Sequence, residues 1–300
     1  MRVLLCCFFI CVISMCNAQL HYQKLLDGYL NKSQSLTNEY FEAWHNEISP
    51  ISDSEFNALN DTLKNVYKVA EAYLKPSQSD SDSTSFNYNY HLGHIKYVPI
   101  QNSIDYAFIN EIFFSEDELN TFLEKKVSFL VHNNPDLSPH LEKTNGRYPE
   151  SVIMKFASSF YRNEPANYIY STKYYHFRPR IKVPGKSIIY MNGLYRQDLF
   201  RFTSLYEMNI SKHQGNRYKR KISMEHFRRE NFLTNMTSCY FDIIKFDLDR
   251  EPLFDTFIYY IVFNRDMNRA RVVTNLNTYV YYQKDNNAWK YVKTDIIRCD

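Results

Sequence analysis

Ser238-Cys-Tyr-Phe-Asp-Ile-Ile-Lys-Phe-Asp-Leu-Asp249, Phe254-Asp-Thr-Phe-Ile-Tyr-Tyr-Ile-Val-Phe263, Ala270-Arg-Val-Val-Thr-Asn-Leu-Asn-Thr-Tyr-Val-Tyr-Tyr-Gln283 and Ala288-Trp-Lys-Tyr-Val-Lys-Thr-Asp-Ile-Ile-Arg298 are runs rich in β-branched and aromatic residues. Asp-Arg-Glu-Pro, Asn-Arg-Asp-Met-Asn and Lys-Asp-Asn-Asn separate them, each polar and of hairpin length. Strands joined this closely pair antiparallel, because a parallel return needs a crossover of about a dozen residues. The reading is a four-stranded antiparallel meander over residues 238–298. One of its faces must pack on something apolar.

Helices upstream supply that partner, which makes the fold class α+β. After Pro50, Ser52 and Glu55 form a capping box, with Ile51 and Phe56 at the staple positions. Phe56, Leu59, Leu63, Val66, Ala70 and Tyr73 then fall three and four apart, predicting one helix that Pro76 ends. Leu20 to Trp44 is also helical in pattern, with a break near Gly28 to Ser35, so residues 19–75 read as an antiparallel helical hairpin. Residues 76–86 are a polar linker of Ser, Asp and Thr ahead of an α+β domain over 87–300. The Asp-Ser alternation lacks the glycine and distal glutamate of a calcium loop. A second capping box, Ser115 with Glu118, opens a helix through about Leu130, and residues 151–161 read as another. Tyr168 to Met191 turns to period two, predicting one or two strands interrupted by Pro179 and Pro184.

By element order, helices followed by a long-stranded meander are similar to nuclear-transport-factor-2-like or cystatin-like domains. The signal ending Cys16-Asn17-Ala18-Gln19 and the closing strands Phe257–Asn264, Ala270–Val273 and Ala288–Val292 resemble those of uncharacterised secreted proteins of Bacteroidota. That likeness covers about 45 residues of strand pattern. It implies a secreted or envelope location and carries no catalytic residue across.

The N-terminus points to the same compartment. Arg2 precedes an apolar core, Val3–Met15, too short to span a bilayer, and cleavage before Gln19 is expected. Met15 stands where a lipobox has a small residue, so a lipid anchor on Cys16 is not the favoured reading. Beyond this leader, Cys239 and Cys299 are the remaining cysteines. In an oxidising compartment they are a candidate disulfide. Sequons stand at Asn31, Asn60, Asn209 and Asn235. The 26 Tyr and 22 Phe, against 6 Gly, suit half-buried strand surfaces and fit a coding bias as well as any ligand surface.

Catalytic signatures are sparse. Nucleophile-elbow, phosphate-loop, dinucleotide, Cys-x-x-Cys and His-Glu-x-x-His motifs are all absent. No cofactor is implied. A glycosidase needs only two placed carboxylates, and 33 Asp and Glu do not nominate a pair. His91 and His94, with His132 and His140, and the Asp247/Asp249 pair read as ordinary surface groups rather than metal ligands. The run Tyr168–Phe177 is a possible aromatic platform for a sugar or peptide. The charge outlier is residues 212–229, where Lys212, Arg217, Lys219, Arg220, Lys221, Arg228 and Arg229 face one acid, Glu225. That segment is expected to be a loop leading into a helix through His226, with Phe227 inward and the bases in water. An anionic glycan, a lipid headgroup or an acidic protein surface suits it as partner, and nucleic acid does not suit an exported chain. The functional expectation is a non-enzymatic binding or interaction module, with a glycan-directed extracellular hydrolase as the alternative.

Overall fold

The computed structural model describes residues 22–75, 95–115, 117–122, 125, 170–203, 209–211, 219–221, 224–237, 239–240, 253–254, 257–274 and 278–296. It is α+β, with seven helices among these residues and a mixed six-stranded sheet.

Helix α1 (22–30) turns through Lys32, whose φ is 51°, into α2 (Gln34–Glu47). Ser33 caps α2 by accepting from the Leu36 N–H. The turn brings α1 close against the start of α2, since a Cβ on Gly28 would meet Thr37 Oγ1 at 2.5 Å. The Ser52–Glu55 capping box is present as the sequence predicts, but the helix behind it is two helices. α3 (Asp53–Ala58) stops at Leu59, and Asn60 caps α4 (Asp61–Leu74) by accepting from the Leu63 N–H at 2.8 Å. The apolar spacing runs unbroken through the join, which is why the pattern alone reads as one helix.

Strand β1 (Tyr97–Gln101) passes through the single residue Asn102 into β2 (Ser103–Ile109). Ser115 accepts from the Glu118 N–H and the Glu118 carboxylate accepts from the Phe114 N–H, opening α5 (117–122). β3 (Tyr170–Tyr175) and β4 (Ser187–Met191) follow, the two strands expected on either side of the prolines. After β4 come α6 (Gly193–Phe202), a ribbon of β5 (Asn209–Ser211) with β6 (Lys219–Lys221), α7 (Met224–Met236), and a second ribbon of β7 (Cys239–Tyr240) with β8 (Leu253–Phe254). The chain closes with β9 (Ile258–Asn264), β10 (Arg269–Thr274), β11 (Thr278–Asp285) and β12 (Ala288–Ile296).

The expected four-stranded antiparallel meander is corrected on three points. The sheet has six strands in the order β12-β11-β10-β9-β2-β3, with β2 parallel to β9. The run Ser238–Asp249 contributes only Cys239–Tyr240 among the described residues, and these pair in the ribbon rather than the sheet. Ala270–Gln283 is two antiparallel strands rather than one. The final hairpin turns on Asn286 and Asn287, with φ of 47° and 66°, the left-handed pair a tight two-residue turn requires.

Three apolar clusters result. α4 covers one face of the sheet through Val66, Ala70 and Tyr73 against Ile104, Phe108, Ile261, Phe263, Val272, Val280 and Tyr282, with Phe56 of α3 in the same cluster. α1, α2, α6 and α7 build a second core around Tyr40, Phe41, Trp44, Tyr195, Phe202 and Leu233, with Ile189 of β4. On the sheet's other face, Ile109, Ile112, Val262 and Tyr281 gather with Phe114, Tyr260 and Tyr279. The helices of the N-terminal third therefore divide between the first two cores instead of burying one face together.

Candidate functional site

Where β1 bends into β2, the chain leaves a cavity of about 360 Å³ between the edge strand β3 and the start of α6. Gln101, Asn102 and Ser103 form its floor, Lys173 and Tyr175 one wall, Met191 to Gly193 with Arg196 another, and Phe257 closes it. The first turn of α6 is held by Asn192, whose Oδ1 accepts from Leu194 and Tyr195. That cap orients Arg196 one turn later toward the same opening. Tyr175 is 62 % exposed, so its ring is offered to solvent. Lys173 lies 3.8 Å from Asp105 across the β2–β3 pair, a half-exposed contact that holds the ammonium weakly. Gln101 is fully committed. Its Nε2 donates to Ser103 and Ile258 carbonyls, and its Oε1 accepts from the Ile258 N–H. The rim is therefore cationic and aromatic over a rigid amide floor.

A larger cavity of about 530 Å³ lies between the end of α2 and residues 181–190. Two of its polar groups already serve the fold: His45 Nδ1 is 2.7 Å from the Ile188 carbonyl and Lys186 donates to the Ile95 carbonyl. Its tyrosine, Tyr190, is buried, whereas the corner offers an exposed ring beside two cations, and we take that corner as the candidate site.

One helical turn below, Asp198 is 2 % exposed with Oδ2 sealed from solvent and without a hydrogen bond. Burial pushes its pKa up from 3.8 to about 6, against the pull of Arg201. Nearby, Tyr195 stacks flat on Trp44 at 4.4 Å and donates to the Glu47 carboxylate.

The structure brings one sequence-nominated feature to this corner, the Tyr168–Phe177 run, through Lys173 and Tyr175. The ring exposed at the cavity is Tyr175, and Phe177 is fully buried in the first core. Within the basic segment, Lys219, Arg220 and Lys221 form β6 rather than a loop, and Lys212 and Arg217 lie outside the described residues. Arg228 is exposed, 3.9 Å from Glu225. Arg229 is corrected from a solvent-projecting base to a structural one. Its side chain is 14 % exposed, pairs with Glu225 at 3.0 Å, donates to the Phe202 carbonyl and lies over the rings of Tyr29 and Phe202. Phe227, expected inward, is instead 42 % exposed, because Arg229 holds the inward position on that helix. Cys239 is placed in β7, while Cys299, the four histidines, Asp247 and Asp249, and the 76–86 linker lie outside the described residues. Sequence reasoning did not find Arg196, Asn102 or Asp198. The Asn192-Gly-Leu-Tyr cap was the available signal for the first.

Comparison with known protein families, curated proteins and solved structures finds no match to this chain. Among the described residues no helix is long and apolar enough to cross a membrane.

Proposed function

We propose that this chain is an exported, non-enzymatic binding module whose corner cavity receives an anionic ligand, best matched by an acidic glycan. The observation that carries the reading is the convergence of Lys173, Arg196 and the exposed Tyr175 ring on one cavity. A sugar ring stacks on an exposed aromatic face, while carboxylate or sulfate groups meet the two cations. Glycoside hydrolysis would ask for two carboxylates roughly 5 to 10 Å apart across the bond. The described residues lining this cavity include none, which favours binding over the hydrolase alternative. The leader Arg2–Ala18 and the resemblance to secreted proteins support export. In that setting the reading includes a Cys239–Cys299 bridge and an anion-facing role for Lys219, Arg220 and Lys221.

The test is calorimetric titration of the purified chain with a uronic-acid oligosaccharide. Lys173→Gln with Arg196→Gln is expected to weaken binding by about tenfold or more, equivalent to roughly 1.4 kcal/mol, with thermal stability unchanged. Replacing Lys219, Arg220 and Lys221 by Gln separates the two cationic surfaces. If affinity is unaltered in the corner variant, the cavity is not the site.

A further inference from the structure

We infer that Arg271, on the face of the sheet opposite α4, is a second and separate oxyanion site. Directly opposed residues of paired strands share a face, and one cross-strand row reads Ala107, Val262, Arg271, Tyr281, Lys293. Arg271 is 6 % exposed and its Nε is sealed from solvent without a hydrogen-bond partner. A guanidinium does not escape burial by losing its proton, so its charge has to be met by another group.

Three described acids here already hold other bases. Glu118 pairs with Arg269 at 2.7 Å, Asp295 with Lys293 at 2.6 Å, and Asp105 with Lys173. None of the ion pairs among the described residues involves Arg271. Besides its unpartnered Nε, Arg271 has the ring of Tyr279, 4.9 Å from its guanidinium carbon, and a side-chain hydrogen bond to the Tyr281 hydroxyl, which also meets Asp295. A ring face offsets only a fraction of the cost of burying a charge.

The surroundings fit an arriving anion. Lys293 lies over the Tyr281 ring at 4.8 Å, so a second cation stands on the far side of the same tyrosine, roughly 10 Å away at two strand spacings. Phe114 roofs Tyr281 edge-on at 6.1 Å and is itself held by Arg269 at 4.3 Å. The fork of a guanidinium suits two coplanar oxygens, so the ligand is a carboxylate, sulfate or phosphate group, with Tyr279 and Tyr281 as walls. This site shares no residue with the corner cavity and does not depend on it.

Thermal unfolding of the full chain in inorganic phosphate, sulfate or succinate, each against chloride at matched ionic strength, tests the inference. At about tenfold over its dissociation constant, one of these oxyanions should raise Tm by roughly 3 °C. The rise should persist in the Lys173→Gln/Arg196→Gln variant and vanish in Arg271→Met. Arg271→Lys, which keeps the charge and lacks the fork, should lose most of it and serves also if the methionine variant does not fold. The inference is overturned if no oxyanion exceeds chloride, if the rise survives in Arg271→Met, or if Arg271→Lys keeps it in full. Loss in the corner variant alone would move the anion to the cavity and equally remove Arg271 as its site.

Discussion

Asp198 and Glu55 are two carboxyl groups that the same chain pushes in opposite directions. Glu55 is exposed, yet the Ser52 N–H and hydroxyl, then Arg178, hold its pKa down to about 2. Its ionised form is favoured in the fold, so its contribution is present above pH 4.5 and fades as the pH falls toward 2. Asp198 has the opposite sign. Its folded pKa of about 6 exceeds the ordinary 3.8, so the folded state holds the proton longer. Stability from this residue is complete below 3.8 and declines as pH rises to about 6. The accumulated cost at neutral pH is on the order of 2 to 3 kcal/mol. Asp198→Asn should therefore flatten the pH dependence of unfolding free energy between about pH 4.5 and 6.5. Urea denaturation at several pH values checks it, and parallel profiles for the two proteins would refute the assignment. Neither residue's behaviour was readable beforehand. The capping box identified Glu55 as a local partner, but nothing around Gln197-Asp198-Leu199 in the chain announces that α2 will seal that carboxyl.

At the scale of elements, caps and turns were the legible features. Ser52–Glu55, Ser115–Glu118 and the Asn286-Asn287 turn each satisfy their hydrogen bonds within a few residues, so sequence and structure agree. The split between α3 and α4 was hidden because Phe56, Leu59 and Leu63 keep helical spacing across it. The signal that overrode this spacing was Asn60, whose side chain offers the Leu63 N–H a partner that a continuing helix would not need. Asn60→Ala should cost about 1 kcal/mol in denaturant unfolding, with Asp61→Ala smaller. A neutral result for Asn60→Ala would mean that packing alone sets the break. Strands β1 and β2 went unread for a related reason. Pro99 argues against a strand interior, and it is tolerated because β1 lies in a two-stranded pair with β4 rather than in the main sheet.

At the scale of the molecule, one side chain ties the β1–β2 bend to the main sheet. Gln101 is 6 % exposed and ties the β1–β2 bend to the first residue of β9, bonding both the N–H and the carbonyl of Ile258. β1 and β4 form a pair that faces both cores, with Val98 and Ile100 in the first and Tyr97 and Ile189 in the second, while β9 lies in the sheet that carries the first. Gln101→Leu would leave two buried backbone groups of Ile258 without that partner. It should destabilise by about 2 to 4 kcal/mol and disturb the corner cavity floored by the same residue. Denaturant unfolding reads the first effect and ligand titration the second. Full stability in this variant would show that the bend holds itself.

The amino-acid sequence by itself determined the α+β class, the helix starts at Ser52 and Ser115, the β9–β10 and β11–β12 turns and the strand tendency on either side of Pro179 and Pro184. Each rests on groups that find their partners a few residues away. Tertiary structure decided the parallel pairing of β2 with β9, the enlargement of the closing strands to a six-stranded sheet, and the meeting of Lys173 with Arg196. It also left Arg271 outside the ion pairs of the described residues. The parallel pairing depends on residues more than a hundred positions apart, as does the tie of Gln101 to Ile258. Which distant surface a strand or base meets is set by how whole layers pack, and no local pattern of side chains carries that information.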